Sequence, residues 1–261
     1  MSKFGVKMPK ADKETCIVLG NGPSLKTSLT NHFNTIEKHS LVCVNSFSIT
    51  EEYAQLKPLY YIMLDDGFWK GNSEYILNTF DALANKTSWK MHLLVPQKAK
   101  KSNRFNELIV KNKNIELIYF NYTVFKGIES LSHFFYSQNL AMPQSQNVLV
   151  ASIFLSINIG FKKIILLGAD HSWHENVHVN NDNIVCIKDV HFYDNIEQIK
   201  YHPIKKGAYS NETFKFHELL NAWSKAFYGY WILNKYAIKK DCIIENASPV
   251  SYIDAFKRIE L

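Results

Sequence analysis

The segment Cys16-Ile-Val-Leu-Gly-Asn-Gly-Pro-Ser-Leu25 constrains this chain most, because it runs an apolar strand into a tight turn and then into a helix start. Cys16 to Leu19 read as a buried parallel strand, and Gly20 and Gly22 allow a turn in which no Cβ keeps a ligand from the main chain. Asn21, between the glycines, can hydrogen-bond such a ligand. Pro23 suits a first helical turn, and Ser24 sets a hydroxyl beside the orphan amides there. The arrangement aims backbone N–H groups at an anion, so a nucleotide or phosphate site is expected. It is not a dinucleotide fingerprint, lacking the third spaced glycine, nor a P-loop, since no Gly-Lys-Ser/Thr follows. An ordinary strand-to-helix corner is the alternative.

Downstream, strand candidates at 16–19, 41–45, 59–64, 91–95, 115–119, 164–168 and 242–244 alternate with helical stretches near 24–37, 48–56, 72–85, 101–111, 125–137, 147–159 and 212–237. This rhythm predicts an α/β fold: a single Rossmann-like, doubly wound, mostly parallel sheet with helices on both faces. The length of 261 residues fits one such domain over 1–261. Val148 to Ile159 is apolar almost all round, which suits a helix buried against the sheet centre, and Gly160 ends it. The polar, turn-rich segment 171–211, with Trp173, Phe192 and Tyr193 as aromatic anchors, reads as a lid that excludes water from a substrate. A surface insertion is the plainer alternative.

The net charge of +6 is modest and local in origin, with Lys98, Lys100, Lys101 and Arg104 clustered after Pro96 and Lys111 and Lys113 beyond. Such a field steers nucleotides, acidic sugars or anionic lipid headgroups. No compact arginine-rich element supports nucleic-acid binding. Cys16, Cys43, Cys186 and Cys242 are widely separated and read as buried free thiols, not disulfides or metal ligands. No apolar run reaches the length of a membrane span, so a cytoplasmic protein is expected, with peripheral contact at an anionic inner membrane through 98–113. Nothing here fixes an oligomeric state.

Ligands of a doubly wound sheet bind beyond the carboxyl ends of its strands. Besides Gly20 to Ser24, polar groups close three further strands: Asn45-Ser46, Asp65-Asp66 and Asp170-His171-Ser172. Asn45 suits a base, sugar or phosphate oxygen. Asp65 and Asp66 suit ribose hydroxyls, a metal or an acceptor, with helix capping as the bland alternative. Asp170 suits orienting an acceptor or a neighbouring histidine. His171, His174, His178 and His191 fall within 21 residues, but His174-Glu-Asn-Val-His178, although it has the spacing of a zincin motif, sits in loop-like sequence and not on the helix that motif needs, so no metal site is assigned. A last helix is expected from Ser210-Asn-Glu-Thr213, with His217, Leu220, Ser224, Phe227 and Trp231 on one mostly buried face. His217 is its polar exception.

Val18 to Leu25, Cys43-Val-Asn-Ser-Phe47 and Gly160 to Asp170 resemble the bacterial sialyltransferases that modify lipooligosaccharides. Relatives similar around Gly20 to Leu25 include the motility-associated glycosyltransferases and hydroxymethylpterin diphosphokinase-like proteins. The resemblance implies a glycosyltransferase of lipopolysaccharide or capsule biosynthesis that moves sialic acid or a related nonulosonate from a CMP-linked donor to a glycan or glycolipid hydroxyl, without a required metal. It further implies donor contacts at Asn21, Gly22, Ser24, Asn45 and Asp65, phosphate support from Tyr193, and a general base just before the late helix, at His217, His202 or His191. Metal-dependent pyrophosphoryl transfer from ATP to a pterin-like alcohol, on Asp65, Asp66 and Asp170, and a non-catalytic nucleotide- or glycan-binding module are the alternatives.

Overall fold

The computed structural model describes residues 2–188, 190–193, 200–207 and 210–261. Among these, the strands are β1 (Thr15–Leu19), β2 (Ser40–Val44), β3 (Tyr60–Ile62), β4 (Met91–Pro96), β5 (Ile115–Phe120), β6 (Lys163–Leu167), β7 (Val177–Val179), β8 (Val185–Ile187), β9 (His202–Pro203), β10 (Ile243–Asn246) and β11 (Lys257–Arg258). The helices are α1 (Ser24–Ile36), α2 (Glu52–Leu56), α3 (Gly67–Lys70), α4 (Glu74–Lys86), α5 (Arg104–Lys111), α6 (Glu129–Ser137), α7 (Val148–Ile159) and α8 (Phe216–Lys239).

Eight strands form one sheet in the order β11-β10-β6-β1-β2-β3-β4-β5, and every pairing in it is parallel. From β1 the chain winds outward to β5, then returns to β6 on the other side of β1. The winding direction therefore reverses between β1 and β6, which opens a crevice beyond their carboxyl ends. The expected Rossmann-like, doubly wound sheet is present.

Alternation along each strand divides the core in two. Cys16, Val18, Val42 and Val44 join α7 and the buried face of α8, while Ile17, Leu19, Leu41 and Cys43 pack with α1, α4 and α5. Helix α7 is buried along nearly its whole length because it lies over β1 and β2 with α8 across its outer side. Asn147 caps it by accepting from Val150 N at 3.1 Å, and Gly160, at φ +107°, ends it in the left-handed conformation that glycine adopts at no steric cost. All four cysteines are free and buried. Among the described residues, no helix is long and apolar enough to cross a membrane.

Two expectations change. Helix α8 begins at Phe216, not near Ser210, with Lys215 N donating to Glu218 Oε2 at 2.9 Å. Its buried stripe is Leu219, Ala226, Tyr230, Leu233 and Ala237, so His217, Leu220 and Ser224 lie on the solvent side and Trp231 is nearly half exposed. Periodicity detects a helix but does not say which of two apolar stripes faces the sheet; here Tyr230 and its neighbours win because they meet α7. Segment 171–211 is not irregular throughout: β7, β8 and β9 make a small antiparallel sheet. Asp189, 194–199, Ala208 and Tyr209 lie outside the described residues, so the lid expectation there is untouched.

Candidate functional site

The carboxyl ends of β1 and β6 meet backbone to backbone. Gly20 N donates to Leu167 O at 2.8 Å and Gly22 N to Gly168 O at 2.9 Å. A Cβ on Gly20 would sit 2.4 Å from Gly168 O, one on Gly22 2.6 Å from Asp170 Oδ1, and one on Gly168, itself at φ +62°, 2.6 Å from Gly20 O. These glycines are required by the crossing of two chain segments. Ser24 completes the junction: its N–H donates to Asp170 Oδ2 at 2.8 Å and its hydroxyl to Asp170 Oδ1 at 2.5 Å. Asp170 thus occupies the position at the N-terminus of α1 that was expected to receive a ligand anion. The N–H groups of Gly20, Gly22 and Ser24 are committed within the protein, which corrects the expectation that they face a phosphate.

Asp170 is itself held from the C-terminal side. Tyr252 N donates to Asp170 O at 2.9 Å, Ser248 Oγ accepts from Ala169 N at 2.9 Å, and Ser251 Oγ donates to Ala169 O at 2.6 Å. Burial pushes the Asp170 carboxyl above its ordinary range, against the hydrogen bonds from Ser24 and the Arg258 charge, which pull it down.

Beside this closed junction lies a cavity of about 360 Å³, lined from the ends of β1, β2, β3 and β6 and the start of α7. Its walls carry five side-chain amides: Asn21, Asn45, Gln146, Asn147 and Asn176. Three buried oxygens on these walls have no partner, namely Asn21 Oδ1, Asn45 Oδ1 and Ser145 Oγ. Unpaired buried polar atoms are rare and costly, so three on one cavity single it out as the candidate site for a polar ligand. Asn45 is braced for this, at φ +51°, with its N–H donating to Ile62 O at 3.0 Å and its carbonyl accepting from Tyr61 Oη at 2.6 Å.

A buried polar network forms another wall. His171, at φ +54° and 6% exposed, places Nε2 2.5 Å from Tyr230 Oη and 3.4 Å from Asn147 Nδ2. Tyr230 Oη also lies 3.2 Å from Asn147 Oδ1, and Trp173 stacks on the imidazole with ring centres 4.2 Å apart. Desolvation pushes His171 down to about 3, so it is neutral at physiological pH. The sequence places His171 at a strand end and in a histidine-rich run but does not point to its pairing with Tyr230. Their significance comes from contacts across 59 residues, and the local signal was the place of His171 beside a strand-terminal aspartate.

Of the histidines expected to serve as base, His191 lines this cavity, its ring parallel to Tyr193 at 5.2 Å. His217 and His202 are exposed, and neither lines the cavity; His202 instead belongs to the small antiparallel sheet. Tyr193 Oη lies 2.5 Å from Tyr75 Oη, and Phe192 N donates to Asn21 O at 3.1 Å, which ties the segment after β8 down across the turn after β1. Lys188 lines the cavity from the same segment. Asp65 lines it too, with Oδ1 accepting from Gly67 N at 2.7 Å at the start of α3, while Asp66 pairs with Lys70 and faces a neighbouring cavity. Among the described residues, no group of three or more His, Cys, Asp or Glu is placed to hold a metal.

Residues 2–176 match the model of a family described as 6-hydroxymethylpterin diphosphokinase MptE-like. No curated protein matches the chain. Among solved structures, the MAf glycosyltransferase from Magnetospirillum magneticum AMB-1 is similar in fold, with a TM-score of 0.53 at 8% identity over 99% of this chain. The chain spans 36% of that protein's length. The matched stretch takes in the sheet from β1 to β6 and the amide side chains of the cavity, from Asn21 to Asn176, and by this match the chain belongs to the MptE-like family.

Proposed function

We propose that this protein is a nucleotide-dependent transferase whose donor binds in the amide-lined cavity and whose acceptor presents a hydroxyl there. The observation that carries it is the convergence of Asn21 Oδ1, Asn45 Oδ1 and Ser145 Oγ, all buried and unpartnered, at the switch point of a doubly wound sheet. Amides offer paired donors and acceptors, which suits a base edge or sugar hydroxyls. Lys188 and His191 supply the cationic or proton-accepting groups on the same wall. His191 is the proposed base, removing the acceptor's proton as the donor phosphate leaves.

The first specific reading is pyrophosphoryl transfer from a nucleoside triphosphate to a pterin-like alcohol, supported by a family match that takes in most of the cavity. Asp65 and Asp170 end strands three spacings apart, about 14 Å, so they do not share one ion. Asp65, exposed at the cavity, is the carboxylate that would hold a magnesium ion on the donor phosphates, where the ion screens their charge. The second reading is glycosyl transfer from a nucleotide sugar, CMP-linked donors included, to a glycan or lipid-linked acceptor. Among the described residues the lining is amide-rich and carries one lysine, which favours it, since a triphosphate leaves more charge to neutralise than one lysine supplies. Peripheral contact with an anionic membrane belongs with this second reading.

Calorimetry of the purified protein against ATP and against CMP-, UDP- and GDP-linked sugars, followed by turnover assays, separates the two. AMP formation with hydroxymethylpterin and magnesium supports the first, and donor cleavage with sugar transfer supports the second. Binding of none of these nucleotides rejects the proposal. Within either, His191→Ala removes most turnover while His217→Ala leaves it, a base being worth about 10²–10⁴ in rate.

A further inference from the structure

A second cavity, of about 700 Å³, adjoins the first and shares Leu64 and Tyr122 with it. Its chemistry differs. Lys70, Lys98 and Lys101 line it against one carboxylate, Asp66, and Trp69 and Pro96 give it apolar surface. The walls are fixed by contacts outside the cavity. Arg104 donates to Phe68 O at 2.9 Å and Gly71 O at 2.6 Å, which clamps the short helix that carries Trp69 and Lys70. The lysines at 98 and 101 sit on a 3-10 turn anchored by buried Ala99. Tyr122 Oη donates to Ser145 O at 2.7 Å, so the partition between the cavities is tied to the residue whose own hydroxyl is unpartnered in the first.

We propose that this lysine-lined cavity is the acceptor subsite, and that it takes a phosphate-bearing acceptor whose ring or chain lies against Trp69. This rests on the reading of the first cavity as the donor site. Lysine ammonium groups bind phosphate as point charges, and an amide-lined cavity joined to a cationic one across Leu64 and Tyr122 separates recognition of the donor's base and sugar from capture of a second, acceptor-borne phosphate. A soluble sugar phosphate and a lipid-linked phosphate present the same group to Lys98 and Lys101.

Calorimetry at low salt with glucose 6-phosphate and with glucose tests the charge preference. Flotation with vesicles of phosphatidylcholine, with and without phosphatidate, tests the lipid source. The expected result is that the phosphorylated ligand, the phosphatidate vesicle or both are preferred about tenfold or more, the scale of one charge-assisted hydrogen bond. Lys98→Ala/Lys101→Ala abolishes that preference and leaves the affinity for the bound nucleotide unchanged. A preference for the sugar phosphate alone identifies a soluble source, and one for the vesicle alone a lipid-linked source. Equal binding of charged and neutral ligands overturns the proposal, as does loss of nucleotide affinity in the double variant, which would place the donor's phosphates here. Anion preference without any nucleotide binding leaves this subsite standing and rejects the donor reading instead.

Discussion

The junction of β1 with β6 and the amide wall beside it are built from adjacent residues but resolve their polar groups in opposite ways. At the junction, Gly20 N, Gly22 N, Ser24 N and the Ser24 hydroxyl all find partners within the chain. One residue away, Asn21 Oδ1 has none, and neither has Asn45 Oδ1 on the next strand. Closed polar groups hold a fold together, whereas open ones cost stability until something fills them. The difference gives the glycine turn a structural role and makes the amides the recognition groups of the proposed function.

The largest effect expected from breaking this division is at the glycines. Gly22→Ala drives a Cβ against Asp170 Oδ1 and Gly168 O, both 2.6 Å away, and should destabilise the fold by about 3 kcal/mol, readable as a lower urea midpoint. An unchanged midpoint with lost nucleotide binding would return the glycine to a ligand role.

His171 comes next. Its folded value of about 3 lies below the ordinary histidine value of about 6.5, so the unfolded chain binds the extra proton between those values and stability is lost as pH falls through that window. At pH 5 the loss is about 2 kcal/mol, and His171→Asn, which tolerates the positive φ, should remove that slope from a pH series of thermal midpoints. An unaltered slope would mean that the imidazole is not desolvated.

Asp170→Ala leaves Ser24 N uncapped and should cost about 1–2 kcal/mol, whereas Asp170→Asn keeps an acceptor and should cost less. Because burial raises the Asp170 carboxyl, the folded state holds its proton longer than the unfolded one. Stability therefore falls as pH rises from the ordinary carboxyl value of about 4 to the raised one. The Asn variant should lack that component in the same pH series, and a wild-type-like profile would contradict it.

The smallest effect on the fold belongs to the open amides. Asn45→Gly preserves the positive φ and removes an unpartnered oxygen, so stability should change little while nucleotide affinity drops about tenfold by calorimetry. Unchanged affinity would take Asn45 out of the site.

Much of this organisation was legible in the sequence, and for a physical reason. Strands β1 to β6 and β10 are apolar runs bounded by turns, and helix α7 is apolar almost all round, so local composition alone identifies them. The ends of those strands gave Asn21, Asn45, Asp65 and Asp170, all of which line one cavity. Strands β7 to β9 were not legible, since they are short and partly exposed and pair only with one another. Nor was the role of Asp170 as a cap for a helix 146 residues earlier, because no local pattern encodes such a partner. Local sequence does not separate His191, His202 and His217 for the same reason. All three are histidines in polar sequence, and only the folded chain brings the first to the cavity.

The division between closed turn and open amides is tested most directly by amide NMR of the labelled protein during titration with the proposed donors, ATP and a CMP-linked sugar. The account predicts large shifts in the side-chain amide signals of Asn21 and Asn45, with the backbone amides of Gly20, Gly22 and Ser24 keeping their slow exchange and moving little. Strong downfield movement of those three backbone amides, with the side-chain signals unmoved, would show the anion seated at the start of α1 and contradict it.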